Sequence, residues 1–372
     1  MTFQRKQKIE DFLSPKRVLI IYGPRRIGKT TLLKQYLANV QDKKIRLDNG
    51  DDLDLRRALG SQKRKEILDY ARPYDVIAID EAQQIPNIGL AAKMMIDEFP
   101  GKIIILTGSS SFDLSQQAGE PLTGRHYTLT LLPIAQSEIG ENSFQKKQQL
   151  EDFLIFGLYP EILSTDDRTE KIRMLRELVS SYLFKDILAL DRLRSPELLL
   201  DITKCLAFQV GNEVSLNEIA RTVKSDVKTV QRYVDVLEKS FVVKKIRAYS
   251  TNQRNEIAKQ VKYYFYDTGV RNALIGAFNA VNLRDDVGAL WENFIFMELY
   301  KKSFFGNSGE QYYFWRTKTQ REIDIITEAG GKIKAYECKF SRAESKNVKA
   351  FTALYPNARV TIINKDNYLD FI

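Results

Sequence analysis

Residues 23–30 read Gly23-Pro24-Arg25-Arg26-Ile27-Gly28-Lys29-Thr30, two glycines, a lysine and a hydroxyl at the spacing of a phosphate-binding loop. Gly23 and Gly28 let backbone N–H groups turn inward around phosphate oxygens. Lys29 would reach the β- and γ-phosphates of a nucleoside triphosphate, and the Thr30 hydroxyl would ligate Mg²⁺. Thr31 lies in the first turn of the helical run that follows, whose N-terminal dipole favours negative charge. Arg25 and Arg26 sit inside the loop, within reach of phosphate or solvated. A second run, VIAIDE at 76–81, is an apolar strand ending in two carboxylates. There Asp80 would hold Mg²⁺, directly or through water, and Glu81 would take the proton of an attacking water. A third strand at 103–107 leads into Gly108 and Ser109, where a hydroxyl either orients the γ-phosphate and water or serves the turn. Arg125 precedes a fifth strand. Its guanidinium either stabilises transition-state charge, in its own chain or a neighbouring subunit, or is a surface cation.

A second set of residues lies near the C-terminus: Glu292, Asp324 and the Glu337-Cys338-Lys339 triplet. Asp324 and Glu337 are separated by thirteen positions around an Ala329-Gly330-Gly331 turn, which suits a hairpin that brings them together. Glu337 and Lys339 share one face because strand side chains alternate. Two carboxylates can hold Mg²⁺ and a lysine can orient or activate water, with Glu292 adding or supporting a ligand, as phosphodiester hydrolysis requires. A Glu-x-Lys triplet alone arises by chance, so the ordered set argues for a fold more than for cleavage. Cys338 alternates to the opposite face, a core position.

Between these sets, residues 214–224 and 227–238 read as two short helices joined by a Ser225-Asp226 turn. Val230, Tyr233, Val234 and Leu237 mark the apolar face of the second, and Lys228, Thr229, Gln231 and Arg232 the polar face. That is a helix-turn-helix pattern. It is followed by a basic stretch in which Lys244, Lys245, Arg247, Arg254, Lys259 and Lys262 face the single acid Glu256, a local surplus of five. Such a wing could contact DNA phosphates without reading sequence, and it could equally be a solvated or protein-binding face. The aromatic run Tyr263–Tyr266 reads as core.

The elements that must position these groups follow a clear order. Strands are expected at 17–22, 44–48, 75–80, 102–107 and 127–132, alternating with helices, the signature of a parallel α/β sheet. The polar stretch 141–149 reads as a linker. Residues 149–208 are helical, with Leu175, Leu178, Tyr182 and Leu183 at helical spacing. From about 286 one helix precedes strand–turn–strand, a helix and a last strand at 359–363. At about 150 residues per domain, 372 residues predict two to three domains. Lys plus Arg is 57 and Asp plus Glu 48, a surplus of +9 that by itself hints only weakly at nucleic acid. The two cysteines, Cys205 and Cys338, exclude a disulfide scaffold, and the single His126 excludes multi-histidine metal sites and reads as structural. No secretory leader and no membrane-spanning run is legible, so a soluble, cytoplasmic protein with no membrane partner is expected.

The motifs GPRRIGKT, IDEAQ, LTGSSS and the LTGR…LLP run resemble the archaeal- and bacterial-type AAA ATPases of the signalling-related P-loop branch, over roughly the first 140 residues. The likeness continues in FGLYPE at 156–161, where Leu158 stands in place of a usual glycine, and in VKYYFYDTGVRN at 261–272, where Val270 replaces a leucine. The C-terminal set resembles a PD-(D/E)xK nuclease-type core, which the same group carries. The resemblance implies an α/β P-loop NTPase parallel sheet (1–140), a helical lid (141–208), a winged helix-turn-helix (209–270) and a restriction-endonuclease-like α/β domain (271–372). It also implies ATP binding with Mg²⁺, slow or regulated hydrolysis, and ring assembly with Arg125 as a finger. The leading expectation is an ATPase coupled to DNA binding or processing. The alternatives are a nucleotide-driven switch whose C-terminal half binds protein partners, or a DNA-binding regulator in which ATP sets oligomeric state.

Overall fold

The computed structural model describes residues 3–108, 122–180, 187, 195–250, 260–317, 319–341 and 347–372. Ser109, Tyr182, Leu183, Arg254, Glu256 and Lys259, all singled out above, lie outside the described residues. The chain divides into two compact units, residues 7–132 with 239–241, and residues 1–6, 133–238 and 242–372.

The first unit is built on a five-stranded parallel sheet of β1 (Val18–Tyr22), β2 (Ile45–Asn49), β3 (Val76–Asp80), β4 (Ile103–Gly108) and β5 (His126–Thr130), in the order β2-β3-β4-β1-β5. The expected strands appear within two residues of their places. Every residue of β1 and β3 is buried, as a parallel sheet covered on both faces requires. Ile20, Ile77, Ile79 and Leu106 pack with Ile67 of the helix Arg64–Ala71 and with Met95 and Ile96 of the helix Ile88–Glu98. This order sets the ends of β1, β4 and β3 side by side at the carboxyl edge of the sheet, where α/β sheets bind ligands.

The second unit starts with helices. The stretch expected as a linker is instead a helix, Ser143–Gln148. Asn142 accepts the Gln145 N–H at 2.9 Å and Gln145 accepts the Asn142 N–H at 3.0 Å, a reciprocal cap that a polar composition conceals. Helices Leu150–Phe156, Pro160–Leu163, Arg168–Leu178 and Pro196–Phe208 follow. Gly157, with φ of 75°, separates the first two, and a Cβ there would collide with the Asp267 carboxylate. That carboxylate accepts the N–H groups of Leu158 at 2.6 Å and Val270 at 3.0 Å, capping the helix Thr268–Ile275. The two motif segments at 156–161 and 261–272 therefore meet on one buried aspartate.

The two expected short helices are Leu216–Thr222 and Val227–Lys239. Val230, Tyr233, Val234 and Leu237 are buried, while Lys228 and Arg232 are exposed. Strands β6 (Val243–Ala248) and β7 (Val261–Phe265) form an antiparallel pair, but not a free wing. β6 also pairs in parallel with β8 (Gln311–Arg316), and the sheet continues through β9 (Glu322–Ala329), β10 (Lys332–Cys338) and β11 (Arg359–Ile363), in the order β11-β10-β9-β8-β6-β7. β8 lies outside the strands expected from the sequence. Trp315, Ile323, Ile326, Ala335 and Phe351 form one core of this sheet, with Phe351 on the helix Asn347–Leu354. The helix Val287–Phe305 is buried through most of its length, including Glu292 and Asn293. The run Tyr263–Tyr266 is core, as expected.

Candidate nucleotide site and C-terminal carboxylate cluster

The loop at 23–30 connects β1 to the helix Lys29–Asn39, α1. A Cβ on Gly23 would stand 2.5 Å from the Leu131 carbonyl oxygen, so no other residue lets the chain pass there without displacement. Gly28 caps α1 at φ 94°. The buried Lys29 folds back into the loop, its Nζ donating to the carbonyls of Gly23 and Pro24 at 2.9 Å each. Ile27 is buried beneath the loop, whereas Arg26 and Thr31 are exposed and Arg25 half-buried. Thr30 Oγ1 donates to Asp80 Oδ2 at 2.6 Å, so α1 and β3 bring the hydroxyl and the carboxylate together as the spacing predicts.

Thr107, at the end of β4, donates to the other Asp80 oxygen, and its hydroxyl accepts the Glu81 N–H at 3.2 Å. Ser109, the hydroxyl expected to act beyond this strand, lies outside the described residues; Thr107, a polar residue in an otherwise apolar strand, is the hydroxyl brought to Asp80. Glu81 adopts a left-handed conformation, φ 50°, and Gln83 Nε2 donates to its Oε2 at 2.5 Å. These residues fit Mg²⁺ with a triphosphate. There is a glycine-walled cradle, an ammonium at its centre, and a hydroxyl–carboxylate oxygen pair beside it. Mg²⁺ is commonly held by one or two such protein groups plus phosphate oxygens and water.

Arg125 is elsewhere. Its carbonyl accepts the Val18 N–H at 2.9 Å, so it adjoins the start of β1, whereas the loop leaves the end of that strand. Five residues of strand separate the two by roughly 16 Å. The guanidinium pairs with Asp97 at 3.2 Å on the surface. A role for Arg125 at its own chain's phosphates is thereby corrected, since the sheet holds it at the opposite edge. His126 Nδ1 is 2.9 Å from the Leu122 carbonyl oxygen, a structural contact.

In the second unit, β9 and β10 run antiparallel with Ile325 opposite Tyr336, which sets Asp324 and Glu337 next to one another across the hairpin. Asp324 Oδ2 accepts the Cys338 N–H at 2.7 Å. Lys339 Nζ is 2.9 Å from Glu337 Oε1 and 3.9 Å from Asp324 Oδ2. Burial, reinforced by Glu292 and Glu337, pushes the Asp324 carboxyl well above its usual range. Burial likewise raises Cys338, whose side chain is core as expected.

Glu292 does not join these two as a third ligand. Its Oε1 accepts from Lys262 Nζ at 2.9 Å and from the Tyr264 hydroxyl at 2.6 Å. Lys262 also pairs with Glu322, and its side chain is completely buried. Burial opposes its charge, yet Glu292, Glu322 and Asp324 together hold its pKa above the usual lysine value. Among the described residues, no three His, Cys, Asp or Glu side chains gather closely enough to hold a metal ion. The set Glu292, Asp324 and Glu337 is therefore corrected as a metal centre, because the ammonium of Lys262 has taken Glu292. Lys262 is thus no part of a solvated basic wing. The alternating period that places it beside Tyr264 on β7 was the signal that it points inward.

Residues 15–140 match a family described as an AAA domain, and the strand order and loop geometry agree with an AAA-type P-loop ATPase. Residues 147–280 and 287–371 match two families described as domains of unknown function, DUF8612 and DUF4143. An uncharacterized protein of Mycobacterium tuberculosis is 26% identical over 326 residues, covering 87% of this chain and 70% of its own. Another, from Methanocaldococcus jannaschii, is 23% identical over 416 residues, covering 98% of this chain and 88% of its own. Among solved structures, domain III of the Thermotoga maritima replication initiation protein DnaA aligns at 17% identity and a TM-score of 0.26, over 55% of this chain and 82% of that one. No helix among the described residues is long and apolar enough to cross a membrane.

Proposed function

We propose that the chain binds Mg-ATP at the loop of its first unit, hydrolyses it, and couples that cycle to DNA held by its second unit. The observation that carries the first part is the meeting of Lys29, Thr30, Asp80 and Thr107 at one sheet edge. When bound, Mg²⁺ would neutralise charge on the β- and γ-phosphate oxygens between Thr30 and Asp80. Lys29 exchanges its two carbonyl partners for phosphate oxygens. Glu81, steadied by Gln83, takes the proton of the attacking water. Arg125 remains available only to a neighbouring copy, so any finger role requires assembly.

Three features support DNA as the partner of the second unit. Lys228 and Arg232 are exposed on one face of the second helix of the helix-turn-helix pair. Asp226 Oδ1 accepts the Thr229 N–H at 2.9 Å and caps that helix, so the two cations project from an ordered first turn and a half. Lys244, Lys245 and Arg247 follow on β6. Such contacts hold phosphates rather than read bases. Because Glu292 is engaged by Lys262, this unit binds DNA without cleaving it.

ATP turnover with and without single-stranded and duplex DNA tests both halves. Lys29→Ala should lower turnover at least about 100-fold, and retained turnover in that variant would sink the nucleotide site. DNA that neither binds nor alters turnover would leave the protein-partner switch as the better reading. Mg²⁺-dependent DNA cleavage that disappears in Asp324→Asn would restore the nuclease reading.

A further inference from the structure

β2 is one edge of the first unit's sheet, at the side opposite β5. The Val76 N–H donates to the Lys44 carbonyl at 3.1 Å, and the Gly50 N–H to the Asp80 carbonyl at 2.7 Å. These backbone groups turn toward β3, and by alternation those of Arg46 and Asp48 do too. Those of Ile45 and Leu47, with the Asn49 N–H, turn outward, where no described strand pairs with them. Leu47 is 39% exposed, a large apolar side chain on an open edge.

An open edge attracts other strands, and proteins usually deter them with charge. On β2 the charges favour one particular partner. Arg46 and Asp48 flank Leu47 on the opposite face of the strand and pair with each other, Nε to Oδ2, at 2.7 Å. The Tyr70 hydroxyl donates to the same Asp48 oxygen at 2.7 Å, and the Tyr74 hydroxyl accepts from Arg46 at 2.9 Å. The Arg46 guanidinium lies 5.5 and 5.4 Å from the centroids of those two rings. Both charges are thus held in place at the rim, and the strand has no net charge with which to repel its own copy.

A two-fold axis through Leu47 sets two copies of β2 antiparallel. Leu47 then opposes the partner's Leu47, and Ile45 the partner's Asn49. These outward residues take the hydrogen-bonded positions of the new ladder. Arg46 and the partner's Asp48 fall between them, at the non-hydrogen-bonded positions where side chains approach most closely. Symmetry supplies the second such pair. The neighbouring registers that keep outward residues opposed are shifted by two places. One sets Arg46 against the partner's Arg46, and the other sets Asp48 against the partner's Asp48. Like charges directly opposed destabilise a strand pair, so charge selects the centred register.

We propose that the β2 edge is a docking surface for a second copy of this chain, joined antiparallel about Leu47 into one sheet that runs through both first units. The contact is isologous and closes at two copies. It lies across the sheet from β5 and the adjoining Arg125, so it is separate from any assembly that would use that arginine.

The test is sedimentation of the full-length protein between about 1 and 200 µM, since so small a contact is weak. A dimer should form. Arg46→Glu and Asp48→Lys should each weaken it at least about tenfold, because like charges then face each other at both symmetry-related positions. Mixed in equal amounts, the two variants should associate within about threefold of the parent, because each meets the opposite charge in the other. Thermal melting checks that both fold. Amide exchange of the parent adds a readout that needs no variant: exchange at Ile45, Leu47 and Asn49 should slow as concentration rises. If a variant does not fold, that measurement decides alone. A monomeric parent would leave the edge to a strand of another protein and overturn the proposal. Folded single variants that self-associate like the parent, or that fail to associate when mixed, would overturn it too. So would exchange along β2 that is independent of concentration.

Discussion

Thr107 donates to Asp80 from the side opposite Thr30, so the candidate magnesium carboxylate is held between two hydroxyls on two different elements. Thr107→Val keeps the shape of the strand end and removes one of them. Asp80 should then turn more freely, and the Mg²⁺ concentration for half-maximal ATP turnover should rise several-fold. Nucleotide affinity without Mg²⁺ should stay unchanged. An unaltered Mg²⁺ requirement would assign Thr107 to packing alone.

Lys262 is the keystone of the second sheet, linking β7 to the helix Val287–Phe305 and to β9 through Glu292 and Glu322. Lys262→Met should destabilise the protein by about 3–5 kcal/mol, since removing one partner strands buried carboxylates. Replacing Glu292 by Gln in the same chain should recover part of that loss, because the two changes share one contact. Urea denaturation of the three variants measures both figures. A loss below about 1 kcal/mol would mean that water reaches the cluster.

Gly157→Ala should cost at least about 2 kcal/mol. The residue sits at φ 75° and its new methyl would strike the Asp267 carboxylate that caps the next helix. Asp267→Ala should be comparably damaging, and thermal melting follows both. A Gly157→Ala protein with an unchanged melting temperature would show that the segment at 156–161 can move away.

Asp286 sets an acid limb of stability. Partial burial raises its pKa, but hydrogen bonds from Arg284, at 2.7 Å, and Arg271 outweigh that and hold it at about 2. The group is depressed relative to its unfolded value of 3.8, so its contribution is present above about pH 4 and lost as the pH falls towards 2. Melting temperatures of Asp286→Asn and the parent should differ at pH 6 and converge near pH 2. A difference that persists at pH 2 would exclude the ion pairs as its source.

The sequence by itself determined the nucleotide loop, the strands around it and the two short helices with a basic face. These rest on local signals, namely fixed glycine and lysine spacing, uniformly apolar parallel strands and one helical period. It also named Asp324, Glu337 and Lys339 as neighbours, because a hairpin is a local structure. What lay beyond it was partnership between distant elements. Lys262 and Arg125 illustrate this. One looked like a surface cation and is buried on Glu292, thirty residues away. The other looked close to the loop and stands at the far edge of the same sheet. Lys262 meets Glu292 because the helix Val287–Phe305 packs on β7, and Arg125 stands away from the loop because β5 lies parallel beside β1; residue spacing along the chain carries no record of which elements become neighbours.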